Sequence, residues 1–261
     1  MLGPRDRDPR QRMLAGFLAR LARDADADAF ALRGGMLIRQ RFPTVGRVAR
    51  DIDLISSLPF DVEELRGRVR RVLGDGRASD GVVFDADRFR LDAMRRESDH
   101  PGIRLYAAGH VDGCFAEMTA DFTHRMEVWP RPAPTRLAAA PGRLALCAPA
   151  MLIGRKLQVT AELGRPHWRP KDLADLLVML RAAPPTTAVL GEAVERAFAG
   201  RPEASALGDV LGRPSWWSSE HARMRWRRHA RSYPRGDLGA SLDAVVAEVR
   251  ERLSPLVSMS T

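Results

Sequence analysis

The sequence contains no asparagine, and of its 42 basic residues only Lys156 and Lys171 are lysine. That bias fits a genome poor in adenine-rich codons, in which lysine drifts to arginine. A site that needs a compact, flexible point charge rather than a broad planar fork would resist such a drift. Cysteine is nearly absent as well. Cys114 and Cys147 show no CxxC spacing and no neighbouring histidine cluster, which excludes a zinc knuckle and makes a disulfide framework unnecessary. No apolar run approaches the roughly 20 residues of a membrane span. The N-terminal stretch from Arg5 to Asp28 interleaves arginines with acids, unlike a secretory signal. A cytoplasmic protein without membrane contact is therefore expected. No Walker A loop, G-x-G-x-x-G, H-E-x-x-H or G-x-S-x-G motif occurs, which removes the commonest kinase, dehydrogenase, zinc-protease and hydrolase chemistries.

What is present is a globular composition, 45% hydrophobic and 29% charged over 261 residues, enough chain for one large or two smaller cores. The net charge of +9 favours polyanionic partners, because basic side chains release counterions from nucleic-acid phosphates.

Periodicity orders the chain. Met13, Leu14, Phe17, Leu18 and Leu21 fall on one side of a helix over 11–23. A short apolar run from Phe30 to Leu32 reads as a strand, turning at Gly34-Gly35 into a helix over 36–42 that Pro43 stops. Asp51-Ile52-Asp53-Leu54-Ile55 has the two-residue period of a strand, with both acids on one side. A helix over 61–73 and strands over 81–91, 103–107 and 114–122 follow. The run from Trp129 to Pro134 is expected to break the chain into halves, beyond which helices are predicted over 148–163, 171–181, 187–198, 218–231 and 238–253. The fold expected is α+β: a mixed sheet with flanking helices over residues 1–135, then a mainly helical half over 136–261.

Asp51 and Asp53, about 7 Å apart by strand rise, could share magnesium, or manganese in its place, and through it the phosphates of a nucleotide. A third acid on a neighbouring strand would complete a two-metal site. Asp121 in Met118-Thr119-Ala120-Asp121-Phe122 is the candidate, with Glu117 behind it. The glycine pair before a helix would offer backbone N–H groups and a positive helix end to a triphosphate.

These residues resemble a known family. Leu32-Arg33-Gly34-Gly35, a helix, then Arg47-Val48-Ala49-Arg50-Asp51-Ile52-Asp53-Leu54 is similar to the opening of the AbiEii/AbiGii toxin nucleotidyltransferases, of the DNA polymerase β-like superfamily. Pro101 to Leu105, the Arg155-Lys156-Leu157 of a helix and Lys171-Asp172-Leu173-Ala174-Asp175-Leu176 extend the likeness from about residue 32 to 180. The resemblance implies a nucleotidyltransferase-type sheet and a site in the cleft between the two halves. Asp51, Asp53 and Asp121 would bind metal. Gly34, Gly35, Arg47, Lys156, Lys171 and Asp175 would bind nucleotide. Asp51, Asp53, Asp121, Lys156 and Asp172 would be catalytic, with Asp121 helping to deprotonate the acceptor. The implied reaction moves a nucleoside monophosphate from a nucleoside triphosphate to a hydroxyl, with RNA, the 3′ end of a transfer RNA, as acceptor, growth arrest as outcome and a cognate antitoxin as genetic partner. Met36 departs from the family, which carries a small or hydroxyl residue there. Two other readings stay open: transfer to a small hydroxyl compound such as an antibiotic, and an inactive member that binds nucleotide or RNA.

The C-terminal run of Trp216, Trp217, Arg223, Arg225, Trp226, Arg227, Arg228 and Arg231 would suit RNA if its tryptophans were exposed. The opposing expectation, tryptophans inward and arginines in water, is preferred.

Overall fold

A computed structural model describes residues 8–45, 47–76, 80–132, 134–137, 142–202, 208, 210, 217–231, 233, 238 and 241–257. The chain forms two compact units, one of Met1–Arg41 and Val48–Cys147, the other of Phe42–Arg47 and Ala148–Thr261.

The first unit opens with α1 (Pro9–Leu21), whose N-terminus is capped by Asp8, followed by β1 (Phe30–Arg33), α2 (Gly34–Arg41) and β2 (Ile52–Ser56). The expected glycine turn is thus the first turn of α2, which begins two residues earlier than periodicity indicates. In α3 (Val62–Leu73) the Asp61 carboxylate accepts from the N–H groups of Glu63 and Glu64, satisfying two of the donors a helix start leaves open. The single strand expected over 81–91 is two, β3 (Val82–Phe84) and β4 (Arg90–Met94). Between them the Asp85 carboxylate accepts from the N–H groups of Asp87 and Arg88, a local turn that takes the backbone out of the ladder. The long hairpin β5 (Gly102–Val111) and β6 (Cys114–His124) and the short β7 (Pro134–Arg136) and β8 (Arg143–Leu146) complete eight strands.

Strand order is β3-β5-β6-β2-β1-β8-β7, with β4 also on β5. β7 and β8 continue the sheet, so the first unit runs to Cys147 and the break expected at residue 135 falls inside it. The neighbouring prolines delayed pairing without ending it.

One side of the sheet is a dry core under α1. Ile52, Leu54, Ile103 and Leu105 are fully buried. Phe30 meets Phe122 edge-to-face at 5.6 Å, and Phe17 of α1 meets Phe84 at 6.4 Å, the offset geometry aromatic quadrupoles favour. The alternate residues of the same strands form the second side, which carries the polar groups.

The second unit packs α4 (Pro149–His167), α5 (Pro170–Ala182), α6 (Thr187–Phe198), α7 (Glu220–Ala230) and α8 (Leu242–Val257). A Cβ on Gly154 of α4 would lie 2.5 Å from the Ala193 carbonyl oxygen of α6, so glycine is what lets these two helices approach. Trp168, Trp217 and Trp226 are buried, the first two edge-to-face at 4.8 Å. The tryptophans thus face inward as preferred; Trp216 lies outside the described residues. Among those residues no helix is long and apolar enough to cross a membrane.

Phe122→Ala should cost the first unit about 3–5 kcal/mol, the loss of a fully buried aromatic plus the cavity it leaves. A matching fall in the urea midpoint with an unchanged slope is the expected result.

Candidate active site

Antiparallel pairing of β1 with β2 sets Arg33 opposite Asp53, and the residue after Arg33 is Gly34. Gly34 has a φ of +68°, and a Cβ placed on it would sit 2.0 Å from Asp53 Oδ2. The Asp53 carboxylate therefore rests on the Cα of the first residue of α2. Only glycine satisfies both the left-handed backbone and the close approach. An acidic side chain and the amide-rich start of a helix are brought together by this one contact. Asp51 stands just before β2 and, like Asp53, is half-buried. Met36 is 2% exposed, so its side chain belongs to the core rather than to the helix mouth.

Parallel pairing of β2 with β6 places Asp121 beside Asp53, as the sequence led us to expect of a neighbouring strand. Sequence reasoning missed the next residue in the row. Arg104 of β5 is registered on Asp121, and its Nε and Nη2 each donate to a carboxylate oxygen at 2.6 Å. This two-pronged contact with Asp121 holds the guanidinium well above its ordinary pKa. Each Asp121 oxygen thus accepts one hydrogen bond from Arg104, and among the described residues no group of three acidic, histidine or cysteine side chains could hold a metal. Asp121 has the expected place and carries an ion pair there. Asp51 and Asp53 alone still fit magnesium, a hard cation that uses one or two carboxylates and takes other ligands from water and phosphate. On the other flank Arg33 Nη2 donates to Thr123 Oγ1 at 2.9 Å. Beyond it the same side of the sheet opens into a cleft of about 510 Å³ floored by Ala31, Ile55 and Ala145.

The second unit holds its own charge cluster. Asp172 and Asp175 lie three residues apart on α5, hence on one face. Lys156 Nζ of α4 reaches both at 2.8 Å, and Arg47 Nε meets Asp175 at 3.2 Å. Asp175 is 1% exposed and Lys156 12%. Burial pulls Lys156 down, but Asp175 and then Asp172 outweigh it and hold the ammonium above its ordinary value. Burial likewise pushes Asp172 up, and the Lys156 charge more than reverses this. The four predicted residues Arg47, Lys156, Asp172 and Asp175 are thus together. Lys171 is not among them: it is half-buried and makes no ion pair among the described residues.

Comparison with known proteins follows this geometry. The family model described as nucleotidyl transferase AbiEii toxin, type IV toxin–antitoxin system, matches residues 16–248. The chain belongs to this family. Two crystal structures share its fold: JHP933 from Helicobacter pylori, with a TM-score of 0.57, 12% identity and coverage of 95% of this chain and 92% of that one, and a Helicobacter pylori protein described as a candidate nucleotidyltransferase, with a TM-score of 0.55, 12% identity and coverage of 99% and 97%. No curated protein matches.

Gly34→Ala should destabilise the AbiEii fold by about 1–2 kcal/mol, the cost of an L-residue in the left-handed region, and displace the Asp53 carboxylate. Transfer activity should fall much further than the melting temperature does. A second expectation concerns pH. Because Asp172 is held below its ordinary 3.8, its ion pair contributes fully above that value and is lost as acid protonates it; Lys156, held above 10.5, contributes below that value and loses its share in strong base. Urea titrations read by the buried tryptophans of the second unit should show stability falling below about pH 4, with a smaller fall in Asp172→Asn.

Proposed function

We propose that this nucleotidyltransferase is metal-dependent and moves a nucleoside monophosphate from a nucleoside triphosphate to an acceptor hydroxyl, the acceptor being RNA at the 3′ end of a transfer RNA. The observation that carries the reading is the seat of the Asp53 carboxylate on Gly34: a metal-ligand chemistry and a phosphate-binding helix start occupy one place.

Asp51 and Asp53 would hold magnesium or manganese, which when bound offsets the charge that grows on the phosphoryl group. The amides of Gly34 and Gly35 at the start of α2 orient the phosphates, and the helix end adds its positive dipole. Within the second unit Lys156, held by Asp172 and Asp175, is a compact cation of the kind that would bind a phosphate, and Lys171 carries a further positive charge there. The acceptor oxygen bonds to the α-phosphorus, the bond to the bridging oxygen breaks, and pyrophosphate leaves with that electron pair. We assign the acceptor proton to Asp121, which stands beside Asp53 on the neighbouring strand. The type IV toxin–antitoxin assignment of the family supports growth arrest as the outcome and an antitoxin as genetic partner. The ion-paired Asp121 and the buried Met36 favour, as a second reading, a member that binds nucleotide or RNA without transfer.

The two readings separate on incubation with magnesium, each labelled triphosphate in turn and total RNA. Label on RNA, lost by at least a thousandfold in Asp51→Ala/Asp53→Ala as expected when charge stabilisation of the transition state is removed, is the outcome for the first. Undiminished transfer by that double variant would sink the proposal, and nucleotide binding without transfer by the native chain would select the second reading.

A further inference from the structure

The polar side of the sheet does not end at Asp53. Along β5 the residues that share a side with Arg104 are Tyr106, Ala108 and His110. Their registered partners are Thr119, Glu117 and Phe115 on β6, Arg90 on β4 and Val83 on β3. At roughly 7 Å for every second residue, the row from Asp121 to Phe115 extends about 20 Å. It is open to solvent: Phe115 is 64% exposed and Val83 68%, large apolar groups that folding alone leaves uncovered. His110 stands edge-to-face to Phe115 at 6.0 Å, and the Arg90 guanidinium lies 4.2 Å from the Tyr106 ring centre.

Aromatic rings standing on an open sheet, interleaved with arginines, are a surface on which unpaired bases stack while phosphates meet cations. A protein partner would be served by an apolar patch, yet here Arg90 and Arg104 stand beside Tyr106. Four acids share this side: Asp53 and Asp121, the latter paired with Arg104 at 2.6 Å, Asp92, paired with Arg90 at 3.3 Å, and Glu117, which is exposed. The chain as a whole carries +9, which favours a polyanion. α7 offers no comparable platform, since Trp217 and Trp226 are buried.

We propose that this side of the sheet binds single-stranded RNA, with bases on Phe115 and Tyr106 and phosphates on Arg90 and Arg104, and delivers the strand end toward Asp53. The assignment rests on the reading of RNA as acceptor and adds where that acceptor lies. Arg104 then has two partners, Asp121 holding its Nε and Nη2 edge and the strand meeting the remainder.

Anisotropy of a dye-labelled, unstructured RNA of about twelve nucleotides, with purified full-length chain and neither nucleotide nor metal, tests this directly. Phe115→Ala and Tyr106→Leu should each weaken binding about tenfold, the usual loss of one stacked base. Arg90→Gln should weaken it and lower the slope against log salt by about one. Asp51→Ala/Asp53→Ala should bind as the native chain does, so loss of transfer and loss of binding are read apart. Phe115 is exposed, so its replacement leaves the fold intact, checked by an unchanged melting temperature. Native binding by Phe115→Ala and Tyr106→Leu overturns the proposal, more so if Arg228→Gln/Arg231→Gln abolishes binding. Native transfer to RNA by those same aromatic variants would overturn this surface while leaving the acceptor reading standing. A Phe115→Ala variant that turns a dimer into a monomer in light scattering, with RNA binding unchanged, would make the surface a protein interface and overturn it too.

Discussion

The rest of the first unit depends on how closely the Asp53 carboxylate approaches the Cα of Gly34. Few contacts are so constrained: the strand register must be right to one residue, because a slip of one would turn Asp53 into the core and Leu54 or Ile52 out of it. The backbone at Gly34 must also be left-handed. The core under α1 fixes the first condition, through Ile52 and Leu54, and glycine meets the second. Packing that looks remote from the chemistry therefore sets the distance between an acid and a helix start.

The second unit solves a different problem with buried charge. Two carboxylates on one face of α5 would repel each other out of water; Lys156 pairs with both, Arg47 with Asp175 and Arg169 with Asp172. Removing any one partner would leave an uncompensated charge, which costs far more than the pair contributes. The cluster is thus rigid in position and all-or-none in composition. A side chain needed at a defined place and in a defined ionic state is well served by such surroundings.

Much of this was legible beforehand, and the failures have physical reasons. The alternation of Ile52, Asp53 and Leu54 showed a two-sided strand, and Asp53 keeps the side opposite the buried Ile52 and Leu54. The order of glycines, acids and lysines carried the family. Strands β7 and β8 were hidden because three- and four-residue segments beside prolines leave no period to detect. β3 and β4 merged because the turn between them is made by one aspartate side chain, a contact that hydropathy cannot report. Arg104 was missed for want of register: that it faces Asp121 follows from hairpin pairing over ten residues, whereas sequence shows only an arginine in a strand. The row of Tyr106, His110 and Phe115 is legible in the sequence, since Leu105 and Ala107 alternate with polar or aromatic neighbours.

The two ends of the sheet have a consequence of their own. β7 at one edge has three residues and begins with Pro134, which has no N–H to offer; the other edge is divided between β3 and β4, with a turn between. An eight-stranded sheet with one open side would ordinarily invite further strands to join its hydrogen-bond ladder. Here each border is too short or too interrupted to template a neighbour. The sheet can leave a broad surface uncovered in a crowded cell because growth of the sheet by addition of strands is blocked at its borders.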